Sequence, residues 1–131
     1  MNNIIEIINS LQDLIPLKAA TATQITDAEL QLRVSFSDEY KEYLSTFGAI
    51  MADGIELTGI AKAEHRNVVS VTKAEHKLNS KVPNTLYVIE NTHIDGVVIW
   101  QDATGSVYRT RPEMEPQKIA DSMTEYLSGR K

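Results

Sequence analysis

The chain has 131 residues, 13 Lys plus Arg against 18 Asp plus Glu, a net charge of −5 and no cysteine. That length fits one domain over residues 1–131, with enough core to fold without staples. The missing thiols exclude disulfides, thiolate catalysis and cysteine-held zinc or iron–sulfur centres, and the acidic balance argues against direct nucleic-acid binding, which needs a basic face.

The first residues lack the basic n-region of a signal peptide, and no stretch reaches the roughly 20 apolar residues of a membrane span. A cytoplasmic protein without membrane contact is expected. Ile4, Ile7, Ile8, Leu11 and Ile15 recur at helical spacing and predict a helix over residues 2–14, stopped by Pro16. Residues 18–24 are small and polar and read as a loop. Thr26 with Glu29 is a capping-box pattern that should open a short helix to about Leu32. Ser37 reads as an N-cap with Asp38 and Glu39 in a favourable first turn. Tyr40, Tyr43, Leu44 and Phe47 then form one stripe, and Gly48 is the stop.

The pattern then changes period. Residues 55–58 alternate and predict a strand, and residues 72–79 are read as a helix. The apolar runs 86–89 and 97–100 suit strands covered on both faces, joined by a turn-rich loop over 91–96. Residues 102–106 read as a tight hairpin with Gly105 left-handed, which sets Trp100 opposite Tyr108. A last helix is expected over 117–128, with Ile119, Met123, Tyr126 and Leu127 on one side, Gly129 as its stop, and Arg130 and Lys131 behind. Helices, a strand cluster with one helix inserted and a closing helix make an α+β fold. Its sheet should be mostly antiparallel, with about four to six strands packed on the N- and C-terminal helices. The repeat Lys62-Ala63-Glu64-His65 and Lys73-Ala74-Glu75-His76 has unmatched flanks and is read as chance.

Glu64/His65, Glu75/His76 and His93/Asp95 could supply metal ligands, but the histidines lie 11 and 17 residues apart, not one helical turn. No metal or cofactor is expected. There is no Gly-x-Ser-x-Gly elbow, and the glycines are too scattered for a phosphate cradle. Glu90 and Asp95 flank the 91–96 loop and are the remaining acid–base candidates; no catalytic residue is assigned. Arg66, Lys73, Lys77 and Lys81 read as a solvated helix face. Charge is more telling. Residues 36–64 carry six acids and two bases, and residues 82–102 three acids and no base. If Asp53, Glu56, Glu90, Asp95 and Asp102 gather, they make a negative field suited to a basic partner; the plainer reading is a solubilising surface.

The segments Ile25-Thr26-Asp27-Ala28-Glu29-Leu30, Phe36-Ser37-Asp38-Glu39-Tyr40-Lys41-Glu42-Tyr43-Leu44 and Phe47-Gly48 resemble the opening of the SUKH superfamily, the group around the yeast Smi/Knr cell-wall regulator and bacterial Syd-like proteins. The stretches Asp95-Gly96-Val97-Val98-Ile99-Trp100-Gln101-Asp102 and Gly105-Ser106-Val107-Tyr108 resemble its paired strands, and Ile119 to Leu127 its closing helix. Phe36 or Ser37 stands where the family usually has proline, and Ala49 replaces its second glycine. The resemblance implies a bacterial immunity protein, not an enzyme. Such a protein binds a toxin domain of a polymorphic or contact-dependent system, often a nuclease, and occludes its active site. It also leaves open an intracellular regulatory or scaffold protein of the Smi/Knr type. On the immunity reading, Asp53, Glu56, Glu90, His93 and Asp95 form the docking edge. Trp100, Tyr108 and Tyr87 are aromatic anchor candidates, with core packing the stronger reading for Trp100.

Overall fold

Side-chain caps decide where most of the helices begin. The computed structural model describes residues 3–129. The Asn3 side chain accepts the Glu6 amide and opens α1 (Ile4–Asn9). This helix is shorter than the apolar spacing predicts, and residue 2 lies outside the described residues. The Ser10 hydroxyl bonds the Ile7 carbonyl at 2.6 Å, competing with the helical ladder, and Asp13 takes a φ of 56°. Residues beyond it form a strand, β1 (Ile15–Pro16). Helix α2 (Ala22–Leu32) starts inside the expected loop, because Thr21 and Gln24 make the capping box rather than Thr26 and Glu29. Glu29 instead accepts the Phe36 amide at 2.8 Å. Helix α3 (Asp38–Phe47) matches the reading: the Ser37 hydroxyl accepts the Tyr40 amide, and Tyr40, Tyr43, Leu44 and Phe47 are buried.

Next come β2 (Ile50–Ala52), β3 (Ile55–Glu56), a single 3-10 turn (Glu64–Arg66) and α4 (Val68–Leu78). Helix α4 starts four residues earlier than expected, since the Asn67 carboxamide oxygen accepts the Val69 and Ser70 amides. Then follow β4 (Tyr87–Asn91), β5 (Val98–Gln101), β6 (Val107–Thr110), β7 (Gln117–Ala120) and α5 (Met123–Ser128). The expected helix over 117–128 is therefore two elements. Its first four residues pair with β6, and Ser122 caps the rest. Residues 130 and 131 lie outside the described residues. Among the described residues no helix is long and apolar enough to cross a membrane.

The strands form two antiparallel sheets, β1-β2-β3 and β4-β5-β6-β7. Leu57 bridges Glu90, and the Thr58 amide donates to the Ile89 carbonyl at 2.9 Å, so the two run on as one meander in sequence order. There are more strands than expected because β1 and β2 are too short to show a period and β7 falls within the start of the expected closing helix. Strand β4 is covered on both faces, as its apolar run predicts. Tyr87 and Ile89 join the main core with α1, α2, α3 and α5, while Val88 packs with Val71, Val82, Leu86, Val98 and Trp100 beneath α4. Each buried aromatic there contributes on the order of 2–3 kcal/mol by burial alone.

The β5–β6 hairpin has the predicted register, with Trp100 opposite Tyr108 and Gly105 at φ 100°. Asp102 organises it. One carboxylate oxygen accepts the Thr104 amide and hydroxyl and the Ser106 amide, and the other accepts the Tyr108 hydroxyl at 2.9 Å. Burial raises the Asp102 carboxyl pKa, but these bonds outweigh it and hold it below the usual carboxylate value. A depressed folded pKa gives stability that is full above the unfolded value, about 3.9, and is lost as pH falls through the folded one. Asp102→Asn is therefore expected to be less stable than the parent at neutral pH and to converge with it as the pH falls below the unfolded carboxylate value and through the lowered folded one. Urea midpoints measured from neutral to acid pH check this; parallel profiles would refute it.

Candidate docking surface

In an antiparallel meander alternate turns lie at the same end. The β2–β3 turn at residues 53–54, the β4–β5 loop at 92–97 and the β6–β7 turn at 111–116 therefore share one end of the sheet. They carry exposed Asp53, Asp95, Glu113 and Glu115. Glu56, the last residue of β3, is half-buried, with its carboxylate 3.9 Å from the His65 ring.

The β4–β5 loop is built by its own polar side chains. The Asn91 carboxamide accepts the His93 amide, and the Thr92 hydroxyl donates to the Val97 carbonyl while accepting the Ile94 amide. These bonds hold His93 and Asp95 at φ 57° and 53° on either side of Ile94, and Gly96 at 70°. Left-handed backbone at non-glycine residues costs about 1 kcal/mol or more each, least for Asp, Asn and His. A Cβ on Gly96 would lie 2.7 Å from the Pro112 ring, so the loop rests closely on the β6–β7 turn. The outcome is an isoleucine held outward: Ile94 is 66% exposed, and Met114 on the β6–β7 turn and Leu78 at the end of α4 are exposed too, at 44% and 72%.

Between this loop, the β6–β7 turn and the end of α4 lies a cleft of about 380 Å3, lined by Glu75, Leu78, Gly96, Trp100, Thr110 and Pro112 among others. The Asn79 carboxamide donates to the Met114 carbonyl at 2.9 Å and ties α4 to the turn. Burial pushes the Glu75 carboxyl pKa up, and the His93 charge pulls it partly back. The Asn91 carboxamide donates to the same carboxylate at 3.3 Å. An apolar-edged cleft with one half-buried carboxylate beside three acidic turns has the make-up of a protein docking surface. Among the described residues no three His, Asp or Glu side chains gather to hold a metal ion.

Of the residues singled out in the sequence, Asp53, Glu56, His93 and Asp95 come to this end. Glu90 and Trp100 are corrected: neither is a surface group. Glu90 is 2% exposed, because β4 is covered on both faces, and it accepts the Tyr126 hydroxyl at 2.6 Å. Trp100 forms the cleft floor from within the core, donating to the Thr110 hydroxyl at 2.9 Å and packing 4.9 Å from the His76 ring. Tyr87 is buried too, and Tyr108 is turned to Asp102. Glu113, Glu115, Ile94, Leu78 and Met114 escape the sequence reading. The segment Pro112-Glu113-Met114-Glu115-Pro116 signals a turn, but its end of the molecule follows only from the number of strands.

Residues 1–129 match the family described as SUKH_5: SMI1-KNR4 cell-wall. No curated protein matches the sequence. Among solved structures, the chain resembles one titled "Crystal structure of protein from Pseudomonas syringae pv. tomato", with a TM-score of 0.73 and 18% identity over 95% of this chain and 93% of that one. At that identity the likeness speaks for the fold alone.

Proposed function

The chain belongs to the SUKH_5, SMI1-KNR4 cell-wall family, and we propose that it is a non-enzymatic bacterial immunity protein that binds a cognate toxin domain in the cytoplasm and covers its active site. In this reading the toxin is a nuclease. One observation carries it: the meander collects Asp53, Asp95, Glu113 and Glu115 at one end, around the outward-held Ile94. A nuclease presents a basic cleft to its substrate. An acidic surface is drawn to that cleft and raises the on-rate, while its carboxylates replace phosphate charge without offering a bond to cut. Ile94, Met114 and Leu78 would supply the few desolvated anchors that set residence time.

The test is a binding titration against the C-terminal domain of a large secreted protein encoded beside this gene, at two salt concentrations. Tight binding that weakens with salt, with loss of the toxin's activity, is the expected result. The combined variant Asp53→Lys, Glu56→Lys and Asp95→Asn should weaken it by about tenfold or more, mostly through the on-rate. Asparagine is chosen at 95 because it keeps the left-handed backbone. Unchanged affinity in a variant with the parent's urea midpoint would sink the assignment. The cell-wall wording of the family description favours a second reading, an intracellular regulatory or scaffold module. That module would bind a resident protein of its own cell where no toxin gene is present.

A further inference from the structure

Residues 59–67 leave the opposite end of β3 and run beside the start of α2. Between them lies a groove of about 610 Å3, continuing past Ile60 and Ala61 into a smaller one of about 370 Å3. The lining of the larger part includes Lys18, Lys62 and Arg66 and no carboxylate; Asp27 enters only the smaller. Three cations in one groove stand out on a chain of net charge −5. None of the three takes part in the ion pairs found among the described residues, which join Lys41 to Glu29, His65 to Glu56 and Lys118 to Asp121.

Arg66 carries the stronger signal. Its Nε and Nη2 are shielded from solvent and have no hydrogen-bond partner. These two nitrogens share one edge of the guanidinium, the edge that grips a carboxylate through two parallel bonds. The nearby Tyr43 hydroxyl does not serve it. That hydroxyl donates to the Thr58 carbonyl at 2.7 Å and accepts the Ile50 amide at 3.1 Å. A desolvated guanidinium edge with no bond in return is unfavourable, so the side chain loses nothing on that edge by turning to a partner in the groove.

We propose that this groove is a second binding site, separate from the acidic turns, for an acidic and partly apolar peptide segment of a protein partner. One carboxylate takes the Nε–Nη2 edge of Arg66, and Lys18 and Lys62 flank the segment. The guanidinium turns toward the groove on binding, which breaks no hydrogen bond on that edge because it makes none. The apolar part of the lining, Leu17, Ala19, Ile60, Ala61 and Ala63, selects a peptide over a bare anion. The overall negative charge and Asp27 select against a polyanion such as nucleic acid.

The test uses the full chain and a set of labelled synthetic peptides alternating Glu or Asp with Leu, read by fluorescence anisotropy. Matched Gln and Asn peptides serve as controls. Acidic peptides are expected to bind, their amide counterparts not, and Arg66→Gln to weaken binding about tenfold or more. The double variant Lys18→Gln, Lys62→Gln should flatten the salt dependence. Arg66→Gln is expected to keep or raise the urea midpoint, since it removes an unpaired cation. Failure of every acidic peptide, or equal binding by Arg66→Gln, overturns the proposal. So does a large stability loss in Arg66→Gln, which would make Arg66 structural. Displacement of the peptide by inorganic phosphate, where chloride of equal ionic strength has no effect, would make the groove a free-anion site and also overturn it. The acidic-turn variants should leave peptide binding unchanged, so this site and the docking surface stand or fall separately.

Discussion

Gly48→Ala is expected to lose about 3–5 kcal/mol of folding stability, a large share of the roughly 5–15 kcal/mol a domain of this kind possesses. Gly48 ends α3 with φ 74°, where L side chains are strained, and a Cβ there would stand 2.0 Å from the Lys18 carbonyl oxygen. The obstacle is backbone, and it is fixed. The Leu17 amide donates to the Ala49 carbonyl at 2.8 Å, and the Ile60 amide to the Gly48 carbonyl at 3.0 Å. Three segments therefore stack: residues 17–20, 47–49 and 59–60. Gly59 has no positive φ, yet its Cβ would lie 1.9 Å from the Gly48 oxygen and 2.8 Å from the Ala49 methyl. Gly59→Ala thus isolates close packing from backbone strain and should cost a similar amount. Gly54→Ala isolates strain, since φ is 73° with nothing within 4 Å of a Cβ, and should cost about 1–2 kcal/mol. Urea unfolding of the three variants gives the ranking. If Gly48→Ala loses no more than Gly54→Ala, the stacked segments are not tight.

What could be read in the sequence was whatever its own neighbours enforce. Ser37, Asp38 and Glu39 before a Tyr40/Tyr43/Leu44/Phe47 stripe fix a helix locally, and Asp102 with Gly105 fixes a hairpin and the Trp100–Tyr108 pair. Gln117–Ala120 is a strand for a distant reason. It has one buried residue in four and gains its ladder from β6, so helical spacing running on from Met123 reads straight through it. At Thr26 and Glu29 the capping-box pattern is real in composition but idle, because Thr21 and Gln24 act first. The site divides in the same way. Asp53, His93 and Asp95 sit at turns that punctuation residues announce, and Glu56 lies in the short strand that follows the first of them. Glu90 and Trp100 differ from them only in which face their strand shows and what packs on it. Arg66 looks in sequence like any solvated base. Its withdrawal from water is a property of the tertiary fold, which no local pattern encodes.

Glu39→Ala is expected to cost about 3–4 kcal/mol, because one carboxylate joins α3, the sheet and α5. One Glu39 oxygen accepts the Met123 amide at 2.7 Å and the Gln101 carboxamide at 3.0 Å; the other accepts the Thr124 amide at 2.9 Å and its hydroxyl at 2.6 Å. Ser122 takes the next amide, that of Glu125. The first-turn amides of α5 are thus met by two residues 83 positions apart in sequence. Gln101 is fully buried, and its carbonyl oxygen accepts the Ser37 and Tyr87 hydroxyls at 3.0 and 2.8 Å, so the network ends on the cap of α3 itself. Alanine at 39 leaves two helix amides and one carboxamide N–H without acceptors. Glutamine is no rescue: its NH2 must face one pair of donors, so about 2 kcal/mol should still be lost. The readout is site-resolved. Hydrogen exchange at the Met123 and Thr124 amides should accelerate well beyond that in α3, since Ser37 still caps α3. Uniform acceleration across both helices would mean that α5 is not separately held by Glu39. The effect reaches the docking end as well, because Tyr126 on α5 bonds Glu90, and Glu90 pairs with Leu57 at the bridge joining the two sheets. Loosened α5 should therefore raise exchange at Thr58, whose amide donates to Ile89, before it disturbs the β5–β6 hairpin that Asp102 holds by itself.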